Sequence, residues 1–103
     1  GGHADGDPNV LQVALREGVE ESGIEGLSAD TGEVFDVDVH LIPARKADPK
    51  HFHFDVRFVL VAPPEAQYVV SEESHDLAWV RPENRSQYSV DASVERLFLK
   101  TWP

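Results

Sequence analysis

Residues 1–24 read GGHADGDPNVLQVALREGVEESGI, and the segment that decides the fold is Arg16-Glu17-Gly18-Val19-Glu20-Glu21-Ser22-Gly23-Ile24. Positions i, i+3 and i+4 share one face of a helix, so Glu17, Glu20 and Glu21 point the same way. Carboxylates crowded on one face repel each other and destabilise the helix unless a cation neutralises them. Oxygen-only ligands of this type suit a hard divalent ion such as Mg²⁺ or Mn²⁺. Glycines flank the helix, in a turn before it and just after it. The pattern is that of a metal site built on a loop and a helix.

Working outward, the helix is predicted to run from about Pro8 to Ser22. Asp7 suits the N-cap, Pro8 the first helical position and Gly23 the left-handed C′ position. Val10, Leu11, Ala14, Leu15 and Val19 form the stripe expected to face the core. Gly18 lies inside the helix and costs ~1 kcal/mol relative to alanine, a cost that a close contact between helix and sheet would justify.

Residues 25–32 are rich in Gly, Ser, Asp and Thr and read as a loop. Residues 33–42 alternate, with Val34, Asp36, Asp38 and His40 against Phe35, Val37, Val39 and Leu41, which predicts a strand with one apolar face. Residues 43–50 form a polar turn, and residues 51–62 predict a second strand. On it Phe52, Phe54, Val56, Phe58 and Leu60 share one face, and His51, His53, Asp55 and Arg57 share the other. The two strands suggest an antiparallel hairpin. Short strands are expected over Gln67–Val70 and Leu77–Val80, with 81–88 irregular. Asp91 is placed to cap a final helix of about ten residues, with Val94, Leu97, Phe98 and Trp102 as its buried stripe.

The chain has 103 residues, which sets one domain, 1–103. A net charge of −10 argues against a nucleic-acid polymer as partner, since that needs a basic patch. It leaves room for a small phosphorylated substrate, because bound cations bridge acidic protein to phosphate. The absence of cysteine removes disulfides and thiolate metal sites. No apolar run reaches the roughly 18 residues of a membrane helix, and no signal peptide is visible. A cytoplasmic protein without membrane partners is the expectation.

The segment resembles the Nudix box, G-x5-E-x7-R-E-U-x-E-E-x-G-U with U a bulky aliphatic residue. Gly2, Arg16, Glu17, Glu20, Glu21, Gly23 and Ile24 match it in spacing. Pro8 stands where the family usually has Glu, and Gly18 stands at the first U. The resemblance implies an α+β fold, a mixed β-sheet sandwiched between helices. In the family, strands precede the box, and here the chain starts inside it and has no methionine. The expectation is therefore the C-terminal part of a Nudix domain, a fragment or processed product with a sheet incomplete at its N-terminal side, able to borrow a strand through an exposed edge.

The resemblance further implies a divalent-metal-dependent hydrolase that cuts the pyrophosphate bond of a nucleoside diphosphate linked to another group. Glu17, Glu20, Glu21 and the Gly1 carbonyl would hold Mg²⁺ or Mn²⁺. Glu17 is also the candidate to orient or deprotonate water, and Arg16 would hold a glutamate in place. Many members draw a further carboxylate from the loop before a tryptophan-containing strand. Glu72 and Glu73 precede Trp79, and Glu73 is the candidate there. Asp5 and Asp7 are nearby substitutes for the glutamate missing at position 8, or simply turn residues. His3 lies beside the motif turn, within reach of phosphate or as a plain loop histidine.

The His51, His53, Asp55, Arg57 face reads first as a plain polar surface, with a substrate-facing wall as the next reading and a transition-metal site at His51-x-His53 as the last. The partner expected is a small nucleotide-type substrate, and the family also includes homodimers. The alternative function is a catalytically impaired Nudix-like domain that binds a nucleotide or regulates, which Pro8 and Gly18 favour.

Overall fold

The computed structural model describes residues 2–70 and 77–102. It is a small α+β protein. Helix α1 spans Val10–Ser22, and strands β1 Ser28–Ala29, β2 Asp36–Ile42, β3 His51–Arg57 and β4 Leu60–Val61 follow. A 3-10 helix, Pro82–Gln87, and helix α2, Ala92–Thr101, complete the described elements. β2 and β3 form the expected antiparallel hairpin, with Asp36 opposite Arg57 and Asp38 opposite Asp55. β1 pairs antiparallel with β4. The described residues thus carry two two-stranded sheets instead of the single mixed sheet that was expected.

Both ends of α1 have a local cause. Asn9, and not Asp7, is the N-cap, its side chain accepting from the Gln12 N–H at 3.2 Å. Asp7 sits two residues earlier and accepts from the Asn9 N–H at 2.9 Å, an Asx-type turn. Gly23 ends the helix at φ 69°, as expected of a left-handed cap. A Cβ there would also meet the Val69 Cβ at 2.8 Å, so the position is closed to side chains on two counts.

Gly18 has the close contact that its presence required. A Cβ at this position would lie 3.0 Å from Leu60 Cδ1 and 3.2 Å from Leu27 Cδ1. The helix therefore rests on β4 and on the segment leading into β1.

The predicted second strand breaks into β3 and β4, leaving Phe58 and Val59 between them. Residues 67–70 and 77–80 form no strand. In place of a ladder partner, the Val69 N–H donates to the Ser22 carbonyl at 2.7 Å and satisfies the end of α1. Residues 82–87, expected to be irregular, close into the 3-10 helix, and Arg85 clamps Glu95 of α2 with contacts of 2.8–3.0 Å.

The alternation sorts the hairpin into an apolar and a polar face. Phe52, Phe54, Val37, Val39, Leu41 and Val56 on the apolar face are all exposed, Phe54 at 66%. α2 docks on the polar face. Asp36, 5% exposed, takes Arg96 through Nε and an Nη at 3.0 and 2.7 Å and Lys100 Nζ at 2.7 Å. Arg57 lies 3.4 Å from Asp36 and donates to Ser93 at the start of α2. Asp91 caps α2 as predicted, accepting from the Val94 N–H at 2.9 Å. Val94, Leu97 and Phe98, expected as a buried stripe, are only half-buried, and Trp102 is exposed at 56%.

Among the described residues Val13 and Ile24 are the buried apolar side chains. The radius of gyration, 15.0 Å, exceeds the roughly 13 Å of a compact domain of this length, consistent with so thin a core. No described helix is long and apolar enough to cross a membrane.

Two measurements check this packing. Gly18→Val should lower stability to urea by about 1–3 kcal/mol through overpacking against Leu60 and Leu27. Asp36 is held ionised well below the usual carboxylate range, first by its hydrogen bonds to Arg96 and Lys100. A depressed folded pKa adds stability above the unfolded value, and this is lost as pH falls through the folded one. The wild type should therefore lose stability steadily as the pH is lowered from about 4. Asp36→Asn should be less stable at neutral pH and should flatten that acid limb in urea titrations repeated across pH.

Candidate functional site

The site begins with the contact between the first and second halves of the N-terminal motif. Gly2 lies directly against the Glu17 carboxylate, so close that a Cβ at position 2 would collide with it. The residue is fifteen positions from Glu17 in sequence but beside its carboxylate in space, and a side chain here would make that carboxylate shift. The turn that brings the chain back uses Asp5 at φ 53° and Gly6 at φ 83°, closed by a hydrogen bond from the Asp7 N–H to the Ala4 carbonyl at 3.0 Å.

Glu17, Glu20 and Glu21 follow on the second half of α1, one turn apart on a shared face. Glu17 is the most sheltered of the pair it forms with Arg16: its side chain is 20% exposed, that of Arg16 50%. Arg16 Nη2 stands 4.0 Å from Glu17 Oε1, an ion pair at long range. Gly1 and Glu73, with Glu72, lie outside the described residues. Pro8 is exposed and lines a shallow groove of about 480 Å³ together with Leu11, Val34 and Phe58.

The turn at Gly2 leads into the polar face of the hairpin. The ring of His3 meets that of His53 edge-on at 6.1 Å. His53 in turn stands 5.4 Å from His40 and 5.1 Å from His51. The polar face thus approaches the N-terminal turn at one place, between His3 and His53. His40 Nδ1 lies 3.5 Å from Asp38 Oδ2 and 3.8 Å from Asp55 Oδ2. Among the described residues, the group whose ligand atoms come within 4.8 Å of one another is Asp38, His40 and Asp55, and the three glutamates do not form such a group.

Sequence reasoning placed Asp38 and His40 on a polar strand face but did not join them to Asp55. The signal that joins them is the hairpin register, which sets Asp38 opposite Asp55 and His40 opposite His53. Asp36 was missed in the same way, as one polar residue of an alternation.

No family model matches the chain, and no curated protein matches it.

In donor type the glutamates fit a hard divalent cation: three carboxylates on one helix face, beside a cradle at Gly2 that a Cβ would fill. They share the face without being drawn together.

Proposed function

We propose that the chain is a Nudix-type, Mg²⁺- or Mn²⁺-dependent pyrophosphohydrolase that acts on a nucleoside diphosphate linked to another group. The observation that carries this reading is the seating of Gly2 on the Glu17 carboxylate. The motif spaces these residues far apart in sequence, and their contact is what a loop-and-helix cation site requires. On this reading the sheet pairs seen here are part of a larger mixed sheet between helices.

Hydrolysis of a diphosphate is slow because anionic oxygens screen phosphorus from water. A bound divalent ion neutralises those oxygens and acidifies the attacking water. Glu20 and Glu21 would hold the ion, joined by Glu17 and the Gly1 carbonyl. Glu17, sheltered under Gly2, is the group best placed to orient or deprotonate water. Arg16 adds positive charge beside it at long range. Glu73 would add a further carboxylate from its loop. His3 and His53 line the approach from the hairpin side and offer donors to an anionic substrate.

A second reading is a nucleotide-binding or regulatory domain of the same type with impaired catalysis. Pro8 favours it, since an exposed proline supplies no carboxylate at that position.

Hydrolysis of a panel of nucleoside diphosphate derivatives, with Mg²⁺ or Mn²⁺ and beside Glu21→Gln, separates the two. The hydrolase reading expects turnover that falls at least about 100-fold in the variant, as for loss of one charge-stabilising group. Substrate bound but not cleaved by either protein supports the binding domain, and turnover retained in Glu21→Gln contradicts the assigned role.

A further inference from the structure

We propose that the polar face of the β2–β3 hairpin is a second cation site, which takes a late first-row divalent ion of the Zn²⁺ class on Asp38, His40 and Asp55. It is separate from the glutamate face of α1 and does not depend on the hydrolase reading.

The register creates the site. Asp38 and Asp55 are direct cross-strand partners, and like charges placed opposite each other destabilise a sheet. His40, two residues along from Asp38, brings Nδ1 to 3.5 Å from Asp38 Oδ2 and 3.8 Å from Asp55 Oδ2. A tetrahedral ion with bonds of about 2.0–2.1 Å sets its ligand atoms roughly 3.3 Å apart. The two His40 distances exceed this by only a few tenths of an ångström, and all three ligand atoms lie within 4.8 Å of one another.

The surroundings favour an ion over a simple surface cluster. Arg96 Nη2 donates to Asp38 Oδ1 at 3.1 Å, which fixes the carboxylate and leaves Oδ2 turned to His40. An outer partner of this kind orients a metal ligand. The competing cation on Asp55 is weak, since Arg57 Nη2 stands 4.0 Å away and is committed to Ser93.

The donor set selects the metal. An imidazole with two carboxylates suits Zn²⁺ and its neighbours, whereas Mg²⁺ takes oxygen ligands alone and keeps its waters. The His51-x-His53 pair is not the centre of the site. His51 Nδ1 is bonded to the Pro49 carbonyl at 2.8 Å, and His53 stands as a wall beside His40. His40 is 44% exposed, so an ion here keeps positions open to water or to an anionic ligand.

Co²⁺ serves as the probe, because its visible absorption reports coordination directly. The full chain is titrated with Co²⁺ in a large excess of Mg²⁺, then back-titrated with Zn²⁺. The expected result is one equivalent of Co²⁺ bound with visible bands, and displaced by Zn²⁺. His40→Gln and Asp55→Asn, both at exposed positions, should each weaken uptake by at least about 10-fold while circular dichroism and melting stay those of the wild type. Glu21→Gln should leave uptake unchanged, which keeps this test separate from that of the hydrolase. No uptake, uptake indifferent to both hairpin variants, or uptake lost only with Glu21→Gln would overturn the proposal.

Discussion

The carboxylate of Asp36 is the constraint on which the rest of the fold depends. It is almost fully enclosed, and it is met by Arg96 and Lys100 from α2 and by Arg57 from the neighbouring strand. A buried charge without partners is too costly to keep, whereas one held by several hydrogen-bonded cations is tolerated. Three cations from two elements converge on this one carboxylate. Asp36 stands opposite Arg57, and α2 lies across the polar side of the hairpin. No residue of α2 is fully buried, and it meets the hairpin through the ion pairs and hydrogen bonds of Ser93, Arg96 and Lys100. Arg85 reinforces it from the 3-10 helix, gripping Glu95 while its guanidinium covers the Phe98 ring at 5.4 Å.

This choice of face has a consequence for chemistry. With the polar side turned inward, the carboxylates and imidazoles of the hairpin are gathered toward α2 and toward the N-terminal turn. His3 meets His53 there, on the same short segment in which Gly2 covers Glu17. Two acidic regions, one on a helix and one on a hairpin, are thus joined by two residues of chain. The apolar side is left exposed, with Phe52 at 60%. Only Val13 and Ile24 are buried apolar side chains among the described residues, so burial alone does not hold the hairpin to the helices.

Much of this was legible from the sequence, and the misses have physical causes. Gly23 and Asp91 marked helix ends because a left-handed residue and an N-cap leave local signatures. The first cap was misplaced because Asp7 and Asn9 are both good caps flanking Pro8, and each accepts a backbone N–H. The hairpin was found because a two-residue period is a property of the strand itself. Which face it buries is a tertiary property, decided by Asp36 and cations some sixty residues away. Gly18 broke a motif position in the sequence, and its reason, the approach of Leu60 and Leu27, belongs wholly to packing. Residues 67–70 carry strand-forming side chains, but Val69 spends its N–H on the end of α1. The carboxylate spacing on α1 was visible at once, while the Asp38, His40, Asp55 group needed the register.

We propose that a hard divalent ion binds the glutamate face of α1, where Gly2 lies against Glu17. Paramagnetic broadening of backbone amide signals by substoichiometric Mn²⁺ tests it without requiring a substrate. The account predicts broadening centred on residues 17–21 and reaching Gly2, relieved by an excess of Mg²⁺. Signals at 17–21 that stay sharp, with broadening absent or confined to residues 38–40 and 55, would contradict it.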